Sequence, residues 1–252
     1  MGADVRSAIQ RSSKYLPGFN TLTAQEAMIE GSGQSYHPRE GRSTISGLMQ
    51  ITDKTFQNIV RDYGKELQAA GVDVSNKDDP YTQVMVSKYL HLQDYERYKK
   101  RFAGAEPSSE ILDLMYNLGA GNFDTLMNAR EKSPEKTLGE IFPADMIAKN
   151  KWEPKWTVQE APDKISDARM KGKSAAGTYR VDENGQVVRS RNFKEVLKST
   201  FGEVNNRTPV VEQKSYPGVD SQPSEVRVPS VDTLLKNIPT IGPTTSKEEN
   251  GS

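Results

Sequence analysis

The sequence has no cysteine and only two histidines, His37 and His91. Disulfides and thiol nucleophiles are therefore excluded, and a zinc centre has too few soft or imidazole ligands to draw on. The lack of thiols fits any redox compartment. Net charge is also missing: 34 lysines and arginines balance 34 aspartates and glutamates. No overall field draws the chain to nucleic acid or to an anionic membrane. No apolar run is long enough to span a bilayer. The opening residues, MGADVRSAIQRSSKYLPG, lack the apolar stretch of a secretory signal. Apolar residues make up 34% of the 252. That is low for a chain folded throughout, so part of its length is expected to bury little.

What is present is mostly helical periodicity, from Thr21 to about Trp156. A first helix is expected after a Thr23 cap, through Ala24, Ala27 and Met28, with Gly31 ending it. A second reads from Lys54 to about Leu67, on the stripe Phe56, Ile59, Val60, Tyr63 and Leu67, capped by Thr52 or Asp53. A third covers Tyr81 to about Phe102 and a fourth Ser109 to Leu118. Gly119 and Gly121 stop the fourth, and Asn122 can cap the next. Ser133-Pro134 reads as a further helix start. The expected fold class is mainly α.

This pattern divides the chain into four segments. Residues 1–20 form an N-terminal extension, in which Ile9, Tyr15, Leu16 and Phe19 suggest contact with the helical domain. Residues 21–156 form that domain. Residues 157–204 hold a small hairpin, TYRVDENGQVVRS, with Asn184-Gly185 suited to a type I′ turn, and a short helix in NFKEVLKSTFGE. From residue 205 onward prolines recur among Ser, Thr, Val and Glu, as in an extended or disordered tail, with at most a turn at VDTLLKNI. No internal repeat is visible.

One constellation carries chemistry. Glu30 sits at the end of the first apolar helix. A carboxylate there faces the negative end of the helix dipole, and apolar neighbours further disfavour its charge. Both effects suit a general acid, which must hold a proton near neutral pH. GLMQI, Gly47 to Ile51, supplies apolar neighbours in Leu48, Met49 and Ile51. Gly47 permits close approach of a polymer, and Gln50 can bond to amides or hydroxyls of a sugar. The third piece is MYNLGAGN, where Tyr116 can hold and shield the Glu30 carboxyl and Asn117 can orient substrate. Taken singly, each piece has a plain reading: Glu30 as a solvated surface glutamate, GLMQI as core, the glycines as a helix C-cap. Glu26, about one turn away on the same helix, is the rival carboxylate.

Glu30, SGLMQI and MYNLGAGN, in that order, resemble the soluble lytic transglycosylase domain, over about Thr21 to Asn128. The resemblance implies a lysozyme-like (goose-type) α fold and cleavage of the β-1,4 bond between N-acetylmuramic acid and N-acetylglucosamine in peptidoglycan, without metal or cofactor. It implies that Glu30 protonates the glycosidic oxygen and then takes the proton of the muramic C6 hydroxyl, leaving a 1,6-anhydro end, with no second carboxylate needed. Tyr116 then supports the catalytic glutamate. Gln50, Met49, Gly47, Ser46 and Asn117 line the sugar groove. The stretch between Glu30 and GLMQ is longer than the family pattern, and Asp53 stands where the family has proline.

Two further readings stay open. Asp53, if it faces the groove rather than capping a helix, would position a water and make the enzyme a hydrolytic muramidase. Alternatively the fold is kept without activity, as a structural or adaptor protein. His37 reads as a polar loop residue. A wall-directed enzyme with no visible export signal and a polar, proline-rich tail is expected to be a bacteriophage virion protein. It would act in the host periplasm and cell wall during genome entry, with its tail docking on other virion proteins.

Overall fold

The computed structural model describes residues 1–32, 44–171 and 178–190, and helix dominates them. They belong to one unit, Met1–Asn206, while a second unit, Arg207–Ser252, falls wholly outside the described residues. So do His37, NFKEVLKSTFGE and the expected tail.

The chain opens with α1 (Ala3–Ser12), a 3-10 turn at Pro17–Phe19 and α2 (Asn20–Gly31). A minimal antiparallel ladder comes next, β1 (Ile45–Ser46) against β2 (Ile51–Thr52), with Ser46 opposite Ile51. After it run the helices α3 (Asp53–Ala69), α4 (Pro80–Arg101), α5 (Ser109–Leu118) and α6 (Ala120–Lys132). Shorter helices α7 (Leu138–Ile141) and α8 (Ala144–Asn150) precede α9 (Ala161–Lys171). The hairpin of β3 (Thr178–Val181) and β4 (Val187–Ser190) closes the described chain.

Local chemistry sets these boundaries. The Asp79 side chain accepts the Thr82 N–H at 2.8 Å, and Pro80 occupies the first position of α4, where its missing N–H costs nothing. Ser108 caps α5 by accepting the Ile111 N–H. Thr52, not Asp53, caps α3: its hydroxyl accepts the Thr55 N–H at 3.0 Å. Asp53 lies in the first turn instead, bound by the Lys77 ammonium at 2.8 Å. The Thr23 cap is likewise displaced, since α2 begins at Asn20 and Thr23 lies buried inside it. Asn122 lies within α6, its amide bonded back to the Leu118 carbonyl at 2.9 Å, and Gly119 takes the cap position. Ser133-Pro134 makes a turn, and the next helix waits until Leu138, behind the Thr137–Glu140 capping box.

The hairpin forms where expected but turns differently. Gly185 alone takes a positive φ (+75°), while Asn184 does not, and Asp182 N–H and Gly185 N–H bond to the carbonyls of Gln186 and Asp182. That is a three-residue loop with glycine at the left-handed position, rather than a two-residue type I′ turn. Asp182 accepts the N–H groups of Asn184 and Gln186 on its carboxylate, which pins the loop.

The core runs across the expected segment boundaries. Val5 and Ile9 of α1, Leu22 and Ala27 of α2, Val84 and Met85 of α4, Leu112 and Met115 of α5, Ile165 of α9 and Val187 of β4 all join one buried cluster. Burying an aliphatic side chain of this size contributes roughly 1.5–3 kcal/mol, so residues 1–20 and the hairpin are part of the folding unit rather than appendages. Polar ties reinforce this. The Lys88 ammonium, fully buried, donates to the carbonyls of Ser12 and Tyr15 and to the Asn20 side chain, joining α1 to α2. Its burial pushes the ammonium pKa down to about 7. Val181 N–H donates to Thr21 Oγ1 and the Gln25 amide donates to the Tyr179 carbonyl, which ties β3 to α2. No helix among the described residues is long and apolar enough to cross a membrane.

Candidate active site

Three stretches singled out in the sequence meet in space. The end of α2 packs on the GLMQ turn so closely that a Cβ at Gly31 would collide with the Leu48 carbonyl oxygen. The phenol of Tyr116, near the end of α5, donates to the Met49 carbonyl at 2.6 Å. Glu30 stands at this junction with 20% of its side chain exposed.

The GLMQ turn is a rigid device. Gly47 has a φ of +79°, and a Cβ there would lie 2.5 Å from Gln83 Nε2, so both backbone and space demand glycine. Gln83, buried on α4, accepts the Met49 N–H at 2.9 Å and donates to the Lys77 carbonyl at 2.7 Å. Gln50 takes a left-handed φ of +49°, unusual for a residue with a side chain. Strain of this kind concentrates at functional sites.

The structure assigns the expected groove residues different duties. The Met49 side chain is fully buried, so it supports the turn from inside and presents no surface to a sugar. Ser46 is buried too, donating to Asp78 Oδ1 at 2.7 Å. The Gln50 amide donates to the Gly47 carbonyl at 2.7 Å, so its N–H groups are partly committed. Tyr116 bonds Met49, not the Glu30 carboxyl. Burial first, then the charges of Glu26 and Glu30, raise its pKa well above the ordinary phenol value. It stays a neutral donor. Asn117 is half-buried, and its buried Oδ1 has no partner among the described residues.

Glu30 has partners that sequence reading missed. Arg169 of α9 donates from Nη2 to Glu30 Oε1 at 3.0 Å. The same guanidinium grips Asp113 of α5, Nε to Oδ2 at 3.1 Å and Nη2 to Oδ1 at 3.0 Å. Burial works against the Arg169 charge, but Asp113 and then Glu30 outweigh it and raise its pKa. The guanidinium also offsets the unfavourable end of the α2 dipole that Glu30 faces.

Behind Glu30 lies a second, closed cluster. Glu26, one turn earlier, is fully buried, with Oε2 2.7 Å from His91 Nε2 and 3.3 Å from the Ser87 hydroxyl, which donates to it. Burial, followed by the charge of Asp113, raises the Glu26 pKa well above the carboxylate range. Burial lowers that of His91 to about 4. Burial thus disfavours the charged form of each group, and the short Glu26–His91 contact is a hydrogen bond made inside the core. Glu26 Oε1 and His91 Nδ1 are left without partners among the described residues. The His91 ring also stacks near Tyr116, centroids 5.3 Å apart. A sequence signal for this cluster existed: Gln83, Ser87 and His91 recur every four residues along α4, so they share one face of the helix, and all three are buried.

Among the described residues no group of three or more acidic or imidazole side chains is placed to hold a metal ion. Compared with protein-family models, curated proteins and solved structures, the chain matches none.

Proposed function

We propose that this protein is a peptidoglycan lytic transglycosylase with a lysozyme-like helical domain, and that Glu30 is its catalytic residue. One observation carries the reading. A partly exposed carboxylate ends α2 at the point where the GLMQ turn and the Tyr116-Asn117 end of α5 converge, three sequence-distant pieces at one place.

The chemistry needs one carboxyl group used twice. In its acid form Glu30 donates a proton to the oxygen bridging muramic C1 and the next sugar, and the C1–O bond breaks. The resulting carboxylate takes the proton of the C6 hydroxyl as that oxygen bonds C1, closing the 1,6-anhydro ring. Glu26 is fully buried and hydrogen-bonded to His91, shut away from any polymer, so it serves as support. Asp53 is engaged by Lys77, which gives a water-positioning role no support. The setting we infer is a phage virion protein that opens the host wall in the periplasm during genome entry, with other virion proteins as partners of its tail.

The test is digestion of purified peptidoglycan by the full chain and by Glu30→Gln, with mass spectrometry of the fragments. Anhydromuramoyl ends that vanish in the mutant support the proposal. Reducing ends point to hydrolysis and return Asp53 to consideration. No fragments from the wild-type chain mean an inactive adaptor.

A further inference from the structure

The ion pair at Glu30 is lopsided. Asp113 receives two N–H groups from Arg169, from Nε at 3.1 Å and from Nη2 at 3.0 Å, whereas Glu30 receives one, from Nη2 at 3.0 Å. A forked, two-point contact fixes the plane of a guanidinium and is the stronger of the two arrangements. Side-chain exposure keeps the same order: 6% for Asp113, 11% for Arg169 and 20% for Glu30. Arg169 is thus anchored on the enclosed carboxylate and extends a single N–H toward the accessible one. The Arg169 contact is made at Oε1 and leaves Glu30 Oε2 outside it.

Charge balance makes this arrangement suit a carboxyl that changes its protonation. With Glu30 ionised, the three groups sum to one negative charge; with Glu30 protonated, they sum to zero. Arg169 keeps a full countercharge in Asp113 throughout. Neither state strands a largely buried cation, which would be costly. A simple Arg169–Glu30 pair without Asp113 would lack this property, since protonating Glu30 would leave the guanidinium alone.

We propose that Arg169, anchored by Asp113, is a positioning residue for Glu30: it holds Oε1 in place and so presents Oε2 for proton transfer. This deepens the transglycosylase reading and rests on it. Oε2 carries the proton to the glycosidic oxygen and later accepts the C6 hydroxyl proton, while the Oε1 contact keeps the carboxyl aimed. The residue responsible lies 139 positions from Glu30, on a helix outside the stretch that resembles the family. The catalytic unit therefore includes α9.

The experiment uses the full chain with Arg169→Met and Arg169→Lys. On purified peptidoglycan, Arg169→Met lowers kcat by about 10²-fold, the loss typical of a misaimed catalytic group, with KM close to the wild type's. Free guanidinium at low, non-denaturing concentration restores part of that kcat, and sodium chloride at equal ionic strength does not. Guanidinium weakens folding, so recovery cannot come from a stabilised fold. Arg169→Lys keeps the charge without the fork and remains slow. A readout independent of activity is the side-chain rotamer of Glu30, from three-bond couplings in 13C-labelled protein: one rotamer in the wild type, averaging in Arg169→Met. A single unchanged rotamer in Arg169→Met, or kcat within about threefold of wild type, overturns the inference. If the wild-type chain cuts no peptidoglycan, it is the transglycosylase reading that fails, and the rotamer measurement alone decides whether Arg169 holds Glu30.

Discussion

Glu26 and Glu30 stand one turn apart on α2 and meet opposite environments. Glu26 is sealed in the core with its Oε2 2.7 Å from His91 Nε2, while Glu30 reaches the surface and pairs with Arg169 at 3.0 Å. The same side chain, four residues on, passes from a buried acid to an accessible carboxylate.

This separation predicts a split between the two amide variants. Glu30→Gln abolishes release of anhydromuramoyl fragments and changes the urea midpoint little, because Asp113 retains its grip on Arg169. Glu26→Gln keeps substantial activity, since its amide can keep a hydrogen bond to His91 Nε2. Parallel fragment analysis and urea unfolding of both variants check this. Activity lost in Glu26→Gln with the fold intact would give the inner carboxyl a direct catalytic part.

The Glu26–His91 pair also sets a pH dependence of stability. The native Glu26 pKa is raised above 4.5, so its contribution is complete below that value and fades as pH climbs through the native pKa. The native His91 pKa is lowered from 6.5 to about 4, so a penalty grows as pH falls from 6.5 toward 4. Between 4.5 and 6.5 the two slopes oppose: the raised Glu26 pKa makes stability fall with pH, and the lowered His91 pKa makes it rise. Above 6.5 the His91 contribution no longer changes, and stability falls with rising pH until the native Glu26 carboxyl has ionised. Urea midpoints measured from pH 4 to 9 should show a dome from this pair, flattened on the alkaline side in Glu26→Gln.

The elements of this site differed in how legible they were. Helix bounds carried by a local stripe and a local cap could be read directly: the fourth helix was expected at Ser109–Leu118 and is found there. Gly31, Gly47 and Glu30 were also legible, since each reflects a turn or helix end set by neighbouring residues. Helix starts were less legible: Thr52 rather than Asp53 caps α3, while α2 begins at Asn20, three residues before Thr23, with Phe19 at the cap position and no side-chain cap. The partners of Glu30 were illegible for a different reason. Arg169 and Asp113 lie 139 and 83 positions away, and nothing in the mostly polar sequence of α9 marks its arginine as enclosed. The burial of Met49 and Ser46 was not legible either, because the spacing within SGLMQI does not say which side of a tight turn faces the core.

The Tyr116–Met49 bond predicts a stability cost with a secondary effect on activity. Tyr116→Phe removes the donor and leaves a buried carbonyl without its partner, a loss of about 1–3 kcal/mol. The bond is 2.6 Å and joins α5 to the turn that flanks Glu30. Urea unfolding should register the loss. Activity should fall less than in Glu30→Gln, because the acid itself is untouched.

Gly31→Ala tests whether the α2 end must lie tight against the turn. The added methyl would meet the Leu48 carbonyl oxygen and the Leu48 side chain, and a backbone oxygen cannot swing aside as a flexible side-chain end can. Either α2 or the turn has to move. Overpacking of this sort typically costs about 1–3 kcal/mol. The displacement falls one residue from Glu30 and shifts it relative to the GLMQ turn. The expected outcome is a lowered unfolding midpoint together with a loss of kcat out of proportion to the unfolded fraction at the assay temperature. Gly121→Ala is the control, because a Cβ there meets nothing within 4 Å and the glycine already lies inside α6. If Gly31→Ala keeps wild-type activity once corrected for folding, the close approach of α2 and the turn serves packing alone, and Glu30 tolerates more freedom than a proton-transfer site allows.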